Sequence, residues 1–228
     1  MLGSSYRMLR VGGKLRQLCL LVVVMSSIAI ASAQDLDQEG RNEVVGTLGR
    51  TFISDQGVPN SGLANSIINH GAGLSFEVNY ARILRGSDWA DLAIEVPAIF
   101  NADEDVHYFS NQVPQDYSSI FVTPAVRLRL FPEVAFSPWV SFGGGLGHFQ
   151  ASSSLLFFGK NTGSRGQTTG VLQGGVGMDV RIPGGRFPRF KIRVEARDDW
   201  SGVPPLNVNT GKTRQHNYYV AGGLVYRF

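Results

Sequence analysis

The sequence predicts an all-β protein: an eight-stranded antiparallel up-and-down transmembrane β-barrel, preceded by a cleaved signal peptide. Three observations predict it. Eight segments alternate apolar and polar residues with period two, the spacers between them alternate long and short, and the chain opens with an export signal and finishes on an aromatic strand.

The opening carries Arg7, Arg10, Lys14 and Arg16 with no acidic residue, then the apolar run Leu18 to Met25, then Ala31-Ser32-Ala33-Gln34. That order of basic, apolar and small residues is a secretory signal, with cleavage expected after Ala33. The apolar run is too short to span a bilayer as a helix. All 18 acidic residues lie beyond position 33 and 4 of the 21 basic ones lie before it, so the mature chain carries a net charge of −1. The basic pI therefore belongs to the signal, and no nucleic-acid partner is expected. The single cysteine, Cys19, also lies in the signal and lacks the small residues that a lipid-attachment site needs ahead of it. Without it the mature chain has no disulfide and no thiol nucleophile. Three regions follow: the signal peptide 1–33, a short periplasmic lead 34–42, and a single barrel domain 43–228.

The eight predicted strands are 43–53, 71–84, 88–100, 117–131, 134–149, 167–182, 188–199 and 215–228. Each is long enough to cross the hydrocarbon layer at a tilt near 45°. The spacers 85–87, 132–133 and 183–187 are short; 54–70, 101–116, 150–166 and 201–214 are long. Strict alternation sorts the connections into short periplasmic turns and four long external loops, with both termini at the periplasmic end. No later run of about twenty apolar residues offers a membrane helix.

The faces are most distinct in the seventh strand, where Phe190, Ile192, Val194 and Ala196 alternate with Lys191, Arg193, Glu195 and Arg197. The first strand does not choose a face clearly, and Pro138 interrupts the start of the fifth. Arg50 is assigned inward because a lipid-facing arginine near the midplane costs about 2–4 kcal/mol. The expected lumen charges are then Arg50, Arg127, Arg129, Arg181, Lys191, Arg193, Arg197 and Arg227 against Glu77, Asp91, Glu95, Asp179 and Glu195. A barrel of this size has room inside only for side chains, so these charges are expected to pair and plug it. Should a path open, the excess of three positive charges predicts a preference for anions.

In the last strand, Tyr218, Val220, Gly222, Leu224, Tyr226 and Phe228 share one face. This ending resembles the carboxy-terminal signature of bacterial outer-membrane barrels, which implies that Tyr226 and Phe228 form the barrel-closing signal read by the barrel-assembly machinery. Together with the export signal, loop alternation and strand dyad, it makes the mature chain similar to the small OmpA/OmpX-type eight-stranded barrels, here without a periplasmic domain. The resemblance implies residence in the outer membrane of a Gram-negative-type bacterium, as a monomer among lipid and lipopolysaccharide.

Some small outer-membrane barrels modify lipid A, and His107-Tyr108-Phe109-Ser110-Asn111 resembles the His-x-Ser-Asn pattern of the deacylases. One inserted residue separates the histidine and serine faces, so no catalysis is expected. His70, His148 and His216 read as loop or rim residues. Asp103-Glu104-Asp105 with Asp116 reads as a solvated acidic loop rather than a metal site, since it lacks the spacing of a calcium loop. Asn161 to Gly166 and Asn209 to Lys212 follow no phosphate-loop spacing and read as loop tips. No cofactor is expected. The expected role is structural or surface-interacting through the four loops; the alternatives are a narrow solute conduit and a lipid A-modifying enzyme.

Overall fold

The computed structural model describes residues 40–59, 66–182 and 189–228. The expected signal peptide, most of the expected lead and the expected turn at 183–187 lie outside the described residues. Residues Arg41–Arg227 form one compact unit.

Eleven strands build the sheet: β1 Asn42–Ile53, β2 Gln56–Gly57, β3 Ile67–His70, β4 Ala72–Gly86, β5 Ala90–His107, β6 Asp116–Val122, β7 Ala125–Leu130, β8 Phe136–Ala151, β9 Gly166–Arg181, β10 Phe190–Gly202 and β11 Arg214–Arg227. All pairings are antiparallel. The ring runs β1, β4, β5, β6 with β7, β8, β9, β10, β11 and closes where β11 pairs with β1, from Glu43↔Arg227 to Ile53↔Asn217. Closure leaves none of the eight staves of the ring with an unpaired edge, which is the condition for a sheet to lie in lipid. The end carrying Asn42 and Arg227 is called periplasmic below.

Stave four is broken. The segment expected as one strand over 117–131 is β6 and β7, separated by Thr123-Pro124. Pro124 has no N–H to give to the ladder, and Thr123 N donates instead to Pro97 O at 3.2 Å. Because β6 and β7 pair with the same neighbours, β5 and β8, the ring continues across the gap. Pro138 does not stop β8; it pairs opposite Met178 near the start of the strand, a position where proline is tolerated.

The second long loop is shorter than expected, because β5 continues to His107. A bulge between Asn101 and Glu104 shifts its register against β6. Asp103 and Asp105 are exposed while Glu104 is fully buried. The bulge exchanges the alternating faces, which is how such irregularities re-aim a side chain. The acidic run is thus strand with one carboxylate turned inward, not a loop tip. Loop one contains its own small hairpin, β2 with β3, and β3 docks on the end of β5 through His70↔Val106.

Outward positions carry Leu48, Leu74, Ile94, Val126, Phe142, Leu146, Val176, Val194, Val220 and Leu224, each left exposed by the chain. In water such a continuous apolar belt would far exceed the few hundred Å² that soluble monomers present. Its solvent is lipid. At the periplasmic edge Tyr226 packs on Phe190 at 4.9 Å and Tyr80 OH donates to Asn42 Oδ1 at 2.8 Å; at the other edge Trp200, His216 and Tyr218 stack in a column. These are the two interfacial girdles.

Candidate functional site

The interior divides along the barrel axis. In its periplasmic part the charged inward side chains are joined in one network. Glu43 on β1 bonds both Arg127 and Arg129 of β7, the latter at 2.7 Å. Arg129 also reaches Asp91 at 2.6 Å and Asp179 at 3.3 Å, and Asp179 holds Arg193 through two bonds of 2.7 and 2.9 Å. Glu95 joins Arg127 at 3.2 Å to Arg197 at 2.9 Å, and Arg197 continues to Glu195 at 3.2 Å and Glu77 at 3.1 Å. Two neutral links bring in the remaining staves. Thr47 Oγ1 donates to Glu195 and meets Tyr219 OH of β11 at 2.7 Å, and Arg197 donates to Ser141 Oγ of β8 at 3.4 Å.

Trp139 of β8 stands among these arginines, with the guanidinium carbons of Arg193 and Arg197 4.8 and 5.2 Å from the centre of its ring. Arg127 lies 6.0 Å from the same ring centre, and the five buried cations of this interior are offset by the indole face and six buried carboxylates. Gly177 makes the packing possible, since a Cβ there would come within 2.5 Å of the indole. Lys191 closes the periplasmic side by donating to Pro132 O at 3.2 Å.

Three of the expected lumen residues lie elsewhere. Arg50 is exposed and faces outward with Leu48 and Phe52. The pairing of β1 is unbroken on both sides, so inward Glu43, Thr47 and Thr51 force Arg50 out. Its guanidinium reaches toward the external interface and donates to Ala72 O at 3.2 Å, a snorkelling position. Arg181 is 45% exposed at the periplasmic rim, paired with Glu133 at 3.5 Å. Arg227, the last residue of β11, is half-buried at that rim. Glu43, Glu104 and Asp199 are buried carboxylates outside the expected set; the signal for Glu43 is its shared parity with Thr47 and Thr51, and for Asp199 its shared parity with Arg193 and Arg197. In the periplasmic part five basic residues, Arg127, Arg129, Lys191, Arg193 and Arg197, face six acidic ones, Glu43, Glu77, Asp91, Glu95, Asp179 and Glu195, and Glu104 and Asp199 add two buried carboxylates farther out. The positive excess behind the expected anion preference is absent.

The external part of the interior is different. Ile53, Val58, Ile68, Val106, Tyr108, Val113, Tyr117, Phe121, Phe149, Val171 and Leu206 form one apolar cluster. Phe149 meets Tyr117 and Phe121 edge-on at 5.9 and 5.6 Å. Val58, Ile68, Tyr108, Val113 and Leu206 come from loops or from β3, so the loops fold inward as a cap. Beside this cluster lie neutral amides: Gln56 donates to Gln215 Oε1 at 2.7 Å, Gln215 to Asn217, and Asn101 to Glu104 at 2.9 Å. His70, in the cap, stands edge-on to Tyr117 at 6.3 Å; neither ring nitrogen has a partner among the described residues. Burial pushes its pKa down to about 4.

His107 is exposed at the end of β5, and Ser110 is half-buried in the turn beyond it. His148 and His216 face outward on β8 and β11, bonded to Thr168 at 2.9 Å and Asp198 at 2.7 Å. Among the described residues no group of three His, Cys, Asp or Glu side chains is placed to hold a metal ion.

No family model and no curated protein matches the sequence. Solved structures do. The Neisserial surface protein NspA is 12% identical, covering 82% of this chain and 97% of that one, with a TM-score of 0.50. OprG from Pseudomonas aeruginosa is 13% identical over 84% and 97% with a TM-score of 0.48, and the N-terminal β-barrel domain of OprF from the same organism is 12% identical over 84% and 100% with 0.43. The closed ring, the apolar belt with its two girdles and the likeness to NspA agree on one architecture: the chain has the fold of the small eight-stranded outer-membrane β-barrels.

Proposed function

We propose that this protein is an outer-membrane barrel of a Gram-negative-type bacterium whose lumen is structural and whose function lies in its external loops. The observation that carries the reading is the filled interior. Ion pairs and hydrogen bonds join all eight staves in the periplasmic part, and an apolar cap made partly of loop residues fills the rest. A solute would have to break a network in which each arginine has at least one buried carboxylate partner, and severing such a pair leaves a buried charge uncompensated, at about 3–5 kcal/mol. Surface loops held by a rigid scaffold are where binding chemistry concentrates.

Catalysis is no part of the proposal. Among the described residues His107 and Ser110 share no hydrogen bond and no third group is bonded to the histidine ring. Lipid and lipopolysaccharide surround the belt, the chain works as a monomer, and Tyr226 with Phe228 serves the assembly machinery. Conductance of the refolded protein in a planar bilayer tests the central point. Silent membranes are expected, and steady single-channel currents would make it a conduit instead.

A further inference from the structure

The three external connections 108–115, 152–165 and 203–213 meet at a cleft of about 450 Å³ lined by Asn111, Gln112, Leu155, Thr162, Gly163 and Asn207. The cleft is built from fixed parts. Backbone bonds tie the first two connections together, Leu156 N to Val113 O at 3.0 Å and Gln115 N to Ser154 O at 3.1 Å. Buried Asn161 braces the floor, accepting from Gly163 N at 3.0 Å and from Asn207 Nδ2 at 2.9 Å while donating to Ser152 O at 3.0 Å. Asn207 also donates to Gln112 O at 3.3 Å, which brings in the third connection. Its φ of 63° lies in the left-handed region, which asparagine tolerates better than most residues. Gly163 is required there, because a Cβ would come within 1.9 Å of Asn207 Oδ1.

Two properties of the lining identify a ligand class. The first is neutrality: no lining residue is charged, and the polar groups are amides and a hydroxyl. The side chains of Gln112 and Thr162 are exposed and make no hydrogen bond among the described residues. The second is a pair of exposed aromatic residues whose backbone is bonded to the lining residue Asn111. Asn111 Oδ1 accepts from Phe157 N at 2.9 Å and Phe158 N at 3.2 Å, and Asn111 Nδ2 donates to Phe158 O at 2.8 Å. That grip holds two rings in the open, 62% and 75% exposed. Neutral donors and acceptors beside exposed aromatic faces fit a ligand dense in hydroxyls that also has an apolar C–H face, and the volume suits a small molecule.

We propose that this cleft binds an uncharged saccharide, with Gln112, Thr162 and Asn207 bonding its hydroxyls and Phe158 packing against its ring. The inference rests on the surface-interaction reading above. Its test is saturation-transfer NMR on the folded barrel in detergent, with methyl glucoside, methyl galactoside and N-acetylglucosamine as neutral probes and a sulfated disaccharide as control. At least one neutral probe is expected to bind, and Gln112→Ala with Thr162→Val should weaken it about tenfold or more, as lost polar partners do. Phe158→Ala should weaken it while leaving the heat-dependent gel shift of the folded barrel intact. Displacement of the probe by lipid-free lipopolysaccharide sugar chains would assign the ligand to the cell's own surface; displacement only by unrelated neutral oligosaccharides would assign it to a foreign glycan, and either supports the site. No binding by any neutral probe, tighter binding of the sulfated control, or binding unchanged in the double variant overturns it. Conductance of the same preparation keeps the two readings apart: silent bilayers without saccharide binding sink the cleft alone, whereas steady currents sink the reading beneath it.

Discussion

The two halves of the lumen are filled by opposite means. The periplasmic half uses arginines and carboxylates, which are costly to desolvate and are held only because each shares partners across the ring. The external half is dominated by aliphatic and aromatic side chains packed by loops that fold back, with buried amides and the carboxylates of Glu104 and Asp199 beside them. The difference teaches which part can open independently. The charged half is made almost wholly of strand residues, so disrupting it disturbs the barrel; the apolar half includes loop residues, whose local opening costs less than global unfolding.

Four substitutions sharpen or break that contrast. The largest effect is expected at Glu43, the carboxylate shared by Arg127 and Arg129. Glu43→Ala should destabilise the barrel by about 3–5 kcal/mol, because two buried guanidiniums lose a common partner. Urea unfolding in detergent reads this, and an unchanged midpoint would show that the network does not work as a unit.

Ile68→Ala, in the cap, should cost about 2–4 kcal/mol from lost packing and the cavity left behind. That cost should appear as faster proteolysis of the loops rather than as a lowered melting point of the strands. Equal loss in both readouts would abolish the distinction between halves.

A smaller, pH-dependent effect is expected at His70. Its folded pKa of about 4 lies below the unfolded value near 6.5, so the fold favours the neutral ring. The cap should therefore be fully stable above pH 6.5 and loosen progressively as pH falls toward 4. Hydrogen exchange of the loop amides across that window measures it, and His70→Phe should flatten the dependence while keeping the edge contact with Tyr117. The smallest change belongs to Arg50→Leu. Near the interface an outward arginine costs about 0–1 kcal/mol, so replacing it should scarcely move the unfolding midpoint; a large loss would put Arg50 back in the network.

The inner and outer faces of most staves were legible because period-two alternation is local. Arg193 and Val194 separate without knowledge of any partner. Arg50 is not legible in this way, because the first strand shows no clear alternation and the cost of an outward arginine depends on depth within the membrane, which alternation does not encode. Glu43 was lost with it. Glu104 was hidden differently, since a bulge breaks the period and its position depends on pairing with β4 and β6.

The stave count, the alternation of loop lengths and the oily outer surface follow from local residue patterns, all properties of residues near one another in the chain. Which charges meet, where the charged interior gives way to the apolar one, and which loops form a cleft depend on the folded ring. Arg197 and Glu95 are 102 residues apart, and Asn207 and Gln112 are 95. Ring closure sets those meetings through register and tilt, and no local pattern encodes them.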